Sequence, residues 1–181
     1  MLRTILLFGL IGGLIVNANF VVVLAMGNDS THGGASLLYG YLVMILALSV
    51  IFVGVKRLRD RVYGGVIKFG PALLVGLGIS IVASVLYAIG WEVTLAATHY
   101  SFADSYAAGV IRGAQARGAS AADLAKITAQ MQDFKVQYAN PLYRFPMTFI
   151  EVFPVGVLIS LIAAGLLRNS RFLPARTPIA A

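Results

Sequence analysis

Four long apolar stretches, separated by more polar segments, dominate the pattern of the chain. They cover about residues 4–26, 36–55, 71–94 and 146–167. Each stretch reaches the roughly 20 apolar residues that a helix needs to cross the hydrocarbon core of a bilayer. We therefore predict an all-α, polytopic membrane protein in which residues 1–181 form a single domain of four transmembrane helices.

The segment between the third and fourth stretches, about residues 96–140, predicts an external helical hairpin. Gly118 stands where a first helix would stop, and Ser120 followed by Asp123 resembles a capping box that opens a second helix. The second helix carries an apolar stripe at spacings of three and four residues, formed by Leu124, Ile127, Met131, Phe134 and Tyr138.

This apolar stripe needs a covering surface. We expect it to pack on the first helix of the hairpin through Tyr106, Val110 and Ile111, or on the outer end of the transmembrane helices. The alternative is that the stripe is a docking surface for another protein.

Small residues recur along three of the predicted spans and indicate the faces on which helices approach closely. The first span carries Gly9 and Gly13, the second Gly40, Ala47 and Gly54, and the third Gly76, Ser80, Ser84 and Ala88.

Composition supports the assignment to the membrane. Hydrophobic residues make up 59% of the chain and charged residues only 12%, which is far from the composition of a soluble domain. The net charge of +7 does not indicate a nucleic-acid partner, because the basic residues are not clustered on one soluble face. The absence of cysteine excludes disulfides, thiolate metal sites and cysteine nucleophiles.

The connector after the second span predicts the orientation. It contains one acid, Asp60, and five basic residues, Lys56, Arg57, Arg59, Arg61 and Lys68. Short connectors with such a bias stay in the cytoplasm, so we expect both termini to be cytoplasmic. The alternative is that these five residues contact anionic lipid head groups.

A few polar residues inside the spans form a candidate intramembrane site. They are Glu92, Glu151, Asn17 and Asn19, together with Pro154. A carboxylate within a span is costly and needs a partner, a proton or a wet cavity. Pro154 lacks an N–H, which leaves a backbone carbonyl near Glu151 without its helical partner.

Glu92 and Glu151 lie at similar depth if their helices are neighbours. Two carboxyl groups that share a site do not both ionise easily, so one would hold a proton. The alternative is that each acid bonds Asn17, Tyr143, Arg144 or water and only stabilises the helical bundle. On an ideal helix, Ser160 and Gly156 also point well away from Glu151.

No catalytic, metal-binding or phosphate-binding motif occurs in the sequence, so no cofactor and no metal site are predicted.

Two segments carry a family resemblance. Residues Arg59–Gly70 have the pattern RD-x-x-x-GG-x-I-x-FG, and Asn140–Gly156 contain NPL followed by E-x-x-PVG. Over nearly its whole length the chain resembles the DUF4199 family, bacterial integral membrane proteins of unknown function. The resemblance implies a four-helix protein of the bacterial inner membrane, and it implies no activity.

The favoured functional hypothesis is a non-enzymatic helical bundle and interaction module. Its partners would be membrane lipids and either a second copy of the chain or another membrane protein, bound through the external hairpin. The alternative is a small proton-coupled transporter or carrier that uses Glu92 and Glu151, and the third hypothesis is an intramembrane enzyme with a carboxylate pair.

Overall fold

The structure, a computed structural model, describes residues 1–26 and 33–175, without the side chains of residues 19, 21–26 and 33–37. Within these ranges the chain is helical and contains no strand. The helices are α1 (Leu2–Met26), α2 (Gly33–Leu48), α3 (Val50–Val62), α4 (Phe69–Ala97), α5 (Phe102–Ala116), α6 (Ala121–Tyr138) and α7 (Pro141–Leu167).

Three described segments are long and apolar enough to cross a membrane: Leu38–Val62, Phe69–Ala97 and Pro141–Leu167. They overlap the second, third and fourth predicted spans. In α1, the shorter segment Leu2–Ala18 is also apolar. The all-α prediction is therefore confirmed for the described part of the chain, and the long apolar helices indicate a membrane protein.

Stop and capping residues lie at the end of α5 and at the starts of α6 and α7. Gly118 follows α5 with a φ of +73°, a left-handed conformation that glycine adopts without a Cβ penalty. The Ser120 hydroxyl accepts a hydrogen bond from the backbone N–H of Asp123 at 3.2 Å. At the start of α7, Asn140 Oδ1 accepts one from the N–H of Leu142 at 3.0 Å. The predicted stop and capping residues of the hairpin are thus confirmed.

Helix α1 packs in parallel on α4 through its small residues. A Cβ added at Gly9 would lie 2.5 Å from the Cβ of Val82, and one at Gly13 would lie 2.8 Å from the Cβ of Leu86. Real Cβ atoms do not approach so closely, so the two backbones depend on glycine here. This confirms the predicted packing face of the first span.

Helix α7 packs antiparallel to α4 along a seam of glycine and serine, which we call the Gly-Ser seam. A Cβ at Gly76 would lie 2.8 Å from the Cβ of Ser160, and one at Gly156 would lie 2.7 Å from the Cβ of Ser80. The two serine hydroxyls are 3.1 Å apart and fully buried. The seam fixes how far α4 and α7 can slide past each other.

The small residues predicted for the second span pack at only two of their three positions. Gly54 of α3 lies against Ile79 of α4 and Phe8 of α1, and Ala47 is buried. At Gly40, in contrast, an added Cβ would meet no atom of the described residues within 4 Å. Helices α1, α2, α3, α4 and α7, packed in this way, form what we call the helical core.

Helices α5 and α6 form a hairpin. Lys135 and Asp104 make a salt bridge of 2.5 Å, and the rings of Tyr106 and Phe134 lie 5.4 Å apart. The apolar stripe of α6 therefore packs on α5, as predicted. Its members away from the helical core, Leu124, Ile127 and Met131, are only half-buried.

Candidate functional site

An ion pair joins α4 to α7 where the hairpin meets the helical core. Arg144, in the first turn of α7, is only 3% exposed. Its Nε and Nη2 donate hydrogen bonds to the two carboxylate oxygens of Glu92, at 2.7 and 2.5 Å. Its Nη1 donates to the carbonyl oxygen of Tyr138, the last residue of α6, at 2.8 Å. A single guanidinium therefore ties three helices together, and we call this arrangement the Arg144 clamp.

Two tyrosine rings flank the guanidinium of Arg144. The centroids of the Tyr100 and Tyr138 rings each lie 5.6 Å from its central carbon, within the range of a cation–π interaction. Tyr100 follows the end of α4 in the left-handed region, with a φ of +57°, as does His99 with a φ of +52°. These two residues turn the chain sharply at the point where the hairpin begins.

A cluster of aromatic side chains continues from the helical core into the hairpin. Trp91 of α4 donates its indole N–H to the hydroxyl of Tyr138 at 2.6 Å. The ring of Phe102 meets Trp91 edge-on at 4.9 Å, and Phe20 of α1 lies 5.2 Å from Trp91. Burial raises the pKa of Tyr138 above its ordinary value, so its hydroxyl stays neutral, and the hydroxyl oxygen accepts the hydrogen bond from the indole N–H. The hairpin is therefore attached to the helical core by contacts between aromatic rings as well as by the ion pair.

A cavity of about 260 Å³ lies within this cluster. Six aromatic side chains, one methionine and one carboxylate line it: Tyr87, Trp91, Phe102, Tyr106, Phe134, Tyr138, Met147 and Glu151. We call it the aromatic cavity. Its wall is apolar except for the tyrosine hydroxyls, the indole N–H and Glu151.

Glu151 has little intramolecular support. Its side chain is exposed on the surface of the chain, and Tyr87 donates a hydrogen bond to Oε2 at 3.5 Å, which is the outer limit for such a bond. Among the described residues, no hydrogen bond or ion pair joins Glu151 to Glu92. Glu92 therefore pairs with Arg144, one of the partners in the alternative considered above, whereas Tyr87, the partner of Glu151, was not among them. Gly156 and Ser160 face α4, so Glu151 points away from the Gly-Ser seam, as its helical position predicts.

The remaining candidates of the polar site lie elsewhere. Asn17 donates to the carbonyl oxygens of Gly13 at 2.7 Å and Leu86 at 3.1 Å. Its amide group fills the space that the missing side chain of Gly90 leaves on α4. Asn17 thus joins α1 to α4 and contacts neither acid. Pro154 lies inside α7 and is exposed, and the side chain of Asn19 falls outside the described residues.

A family model described as "Protein of unknown function (DUF4199)" matches residues 7–169. The chain belongs to the DUF4199 family. The match includes α4 and α7 and therefore the Arg144 clamp and the Gly-Ser seam. No curated protein and no solved structure matches the chain.

The basic connector of this DUF4199 protein has a structural residue at its centre. Arg59 is fully buried, donates to Asp60 Oδ1 at 2.7 Å, and donates to the backbone carbonyls of Phe172 and Leu173. It therefore holds the segment after α7, which corrects the interpretation of Arg59 as a contact for lipid head groups.

The other four basic residues of the connector are accessible to different degrees. Lys56 is partly exposed and pairs with Asp60 at 2.5 Å. Arg57, Arg61 and Lys68 are exposed. These three remain the candidates for contact with anionic lipid in the DUF4199 protein.

Sequence reasoning missed the aromatic cavity of the DUF4199 protein. The signal was present as two pairs spaced by four residues, Tyr87 with Trp91 and Phe134 with Tyr138, because residues four apart share one face of a helix. That the two pairs face each other depends on how α6 folds back on α4, which the spacing alone does not define.

Proposed function

We propose that the chain is a four-span protein of the bacterial inner membrane that acts as a non-enzymatic interaction module. Its external hairpin binds another membrane protein or a second copy of the chain, and membrane lipids surround its spans. The observation that carries this proposal is the Arg144 clamp, which fixes the hairpin to the helical core.

A fixed hairpin is suited to recognition because its surface is ordered before a partner arrives. Arg144 bonds Glu92 of α4 and the carbonyl of Tyr138 at the end of α6, so the base of the hairpin cannot move independently of the core. A preorganised surface loses less conformational entropy on binding.

The surface that the hairpin presents is partly apolar. The stripe residues Leu124, Ile127 and Met131 are half-buried, and Val136, on the same helix, is 67% exposed. Apolar side chains that the chain does not cover itself are typical of protein interaction sites.

The bonding of Glu92 favours the interaction module over a proton-coupled carrier or an intramembrane enzyme. A carrier that used Glu92 and Glu151 together would have to break the two bonds from Arg144 in each cycle. Paired carboxylates in an enzyme commonly act across a gap of about 5 to 9.5 Å that the substrate fills, whereas both oxygens of Glu92 are already held by Arg144.

The proposed topology adds α1 to the three long apolar segments as the fourth crossing. In a chain whose four spans cross the membrane in alternating directions, the first and third spans are parallel and the third and fourth are antiparallel. The parallel packing of α1 and α4 and the antiparallel packing of α4 and α7 agree with this arrangement. The exposed cations Arg57, Arg61 and Lys68 then face the cytoplasm with both termini, and α5 and α6 face outward.

Reporter fusions test the topology. A reporter that is active only outside the cytoplasm should give no signal when fused after Arg168 and a strong signal when inserted after Gly118, at the tip of the hairpin. A signal after Arg168 would overturn the proposed orientation.

Association of the hairpin is tested by mass analysis of protein that is purified from native membranes in a mild detergent. We expect a species heavier than the monomer, and we expect it to be lost in the double variant Ile127→Ser with Met131→Ser. The matched control is Lys126→Ser with Gln130→Ser, two exposed polar positions of the same helix. A wild-type protein that is monomeric and carries no protein partner would contradict the proposal.

A further inference from the structure

The aromatic cavity combines two features that together recognise a positively charged amine. Its wall is built from aromatic rings, and its single carboxylate is Glu151. We propose that this cavity is a binding site for a small organic ammonium ion, with the rings around the cation and Glu151 as its counterion. The ammonium group belongs either to a free amine or to the head group of a lipid. This site goes beyond the proposed interaction module and does not depend on it.

The aromatic wall supplies the first part of the recognition. The face of an aromatic ring carries negative electrostatic potential, and tryptophan is the strongest of the aromatic residues in attracting a cation. Trp91 lines the cavity together with Phe102 and Tyr138. The protein already uses this chemistry next to the cavity, where the guanidinium of Arg144 lies 5.6 Å from the centroid of the Tyr138 ring.

Glu151 supplies the second part, because its carboxylate has unused bonding capacity. A carboxylate has about four acceptor positions on its two oxygens. Within the described residues, Glu151 receives one hydrogen bond, at 3.5 Å from Tyr87, and takes part in no ion pair. Glu92, by contrast, uses both oxygens on Arg144. An acid within an apolar helix requires compensation, and an ammonium ion in the cavity provides it.

The size of the cavity limits the ligand. Its volume of about 260 Å³ is below the roughly 300 Å³ at which pockets for drug-sized ligands begin. It therefore suits a compact cation such as choline or ethanolammonium. Glu151 is exposed at the surface of the chain, so the amine can reach it from outside the helical core, whether the amine is free or attached to a lipid.

Trp91 makes the test direct, because it is the only tryptophan of the chain and lines the cavity. The full-length protein in nanodiscs of phosphatidylglycerol is titrated with choline while the emission of Trp91 is recorded. We expect a saturable change in emission. The neutral analogue 3,3-dimethylbutanol, which has the shape of choline without its charge, should bind at least about tenfold more weakly.

Variants identify the counterion. Glu151→Gln keeps the size of the side chain and removes its charge, so it should weaken choline binding by at least about tenfold, whereas Glu151→Asp should retain most of the binding. Asp133→Asn is the matched control, since it removes one negative charge from an exposed position on α6. It should bind choline as the wild type does.

A second set of nanodiscs distinguishes the two sources of the amine. If the natural ligand is a lipid head group, the emission of Trp91 differs between phosphatidylethanolamine and phosphatidylglycerol nanodiscs, and Glu151→Gln abolishes the difference. If it is a free amine, choline binds equally well in both lipids. The proposal is overturned if neither choline nor phosphatidylethanolamine changes the emission, if dimethylbutanol binds as well as choline, or if Glu151→Gln binds choline like the wild type. These titrations report neither the topology nor the association of the protein. Their outcome therefore tests the ammonium site independently of the proposed interaction module.

Discussion

Both carboxylate oxygens of Glu92 on α4 accept hydrogen bonds from the guanidinium of Arg144 on α7, at 2.7 and 2.5 Å. A two-point bond between a carboxylate and an arginine is stronger and better oriented than a single one. Because Arg144 is almost fully buried, the loss of Glu92 leaves a buried guanidinium without its counterion, and the loss of Arg144 leaves Glu92 without its ion-pair partner. The pair is therefore the element of the hairpin attachment that is most sensitive to substitution.

Arg144→Ala should lower the free energy of unfolding by about 1.5 to 3 kcal/mol, the usual contribution of hydrogen bonds to charged groups, because Glu92 is only partly buried. Arg144→Lys should not fully restore it, because an ammonium lacks the planar fork of donors with which the guanidinium bonds both oxygens of Glu92 and the Tyr138 carbonyl. Unfolding of the purified protein in detergent, followed by helical circular dichroism, gives the comparison.

A double-mutant cycle separates this pair from a general loss of packing. Glu92→Gln combined with Arg144→Ala should destabilise the protein by clearly less than the sum of the two single changes, because the second change removes a group that the first has already left unpaired. Additive losses would show that the two residues do not act as a pair.

The Gly-Ser seam predicts which glycines tolerate a methyl group. Gly156→Ala places a Cβ 2.7 Å from the Cβ of Ser80, which forces α4 and α7 apart and should cost about 1 to 3 kcal/mol of stability. Gly165→Ala on the same helix places a Cβ that meets no atom within 4 Å in the part of the chain that the structure describes, and it should be neutral or slightly stabilising. Equal melting temperatures for the two variants, measured in the same detergent, would argue against close packing at the seam.

Features that depend on a few neighbouring residues could be predicted from the sequence. The stop at Gly118 and the cap at Ser120 are local, because each is satisfied by backbone atoms within a few residues. The small face of α1 was also predictable, since Gly9 and Gly13 mark it whichever helix covers it. Gly40 shows the limit of such marks, because it continues the seven-residue spacing of Ala47 and Gly54, yet no described residue would lie within 4 Å of a Cβ added there.

Features that depend on the alignment of distant helices could not be predicted in full. Whether Glu92 meets Glu151 or Arg144 depends on how far α7 slides along α4, and the Gly-Ser seam fixes that position by contacts about four helical turns away. Arg59 is a similar case, because its partners Phe172 and Leu173 are 113 and 114 residues away. A count of basic residues indicates a bias in charge and does not identify which side chain is buried.

Arg59 should hold the segment that follows α7. Arg59→Ala removes the donors to the carbonyls of Phe172 and Leu173, so this segment should open more often and become more accessible to protease. We expect trypsin to cleave after Arg171 several-fold faster than in the wild type, as measured by mass analysis of the products over time. Arg61→Ala, at an exposed position of the same connector, should leave the rate unchanged. Equal rates for all three proteins would mean that Arg59 does not restrain this segment.

Glu151 should contribute little to stability, in contrast to Glu92. If Glu92 and Glu151 shared one protonated, partly buried site, Glu151→Ala would cost on the order of 1 to 3 kcal/mol, because an unsatisfied carbonyl and a small cavity would follow. The structure predicts otherwise, since the side chain is exposed and its bond with Tyr87 is 3.5 Å long. Both Glu151→Ala and Glu151→Gln should remain within about 0.5 kcal/mol of the wild type.

The matched comparison for Glu151 is its neighbour Val152, which is fully buried against the helical core. Val152→Ala removes two buried methyl groups and should cost about 1 to 3 kcal/mol, more than either change at Glu151. Thermal unfolding of the four proteins in one detergent ranks them directly. If the melting temperature of Glu151→Ala is as low as that of Val152→Ala, the carboxylate contributes to the stability of the fold. If Glu151→Ala has the same melting temperature as the wild type, the fold does not require this acid for its stability. An acid inside an apolar helix that does not stabilise the fold is what we expect of a residue with a role in binding.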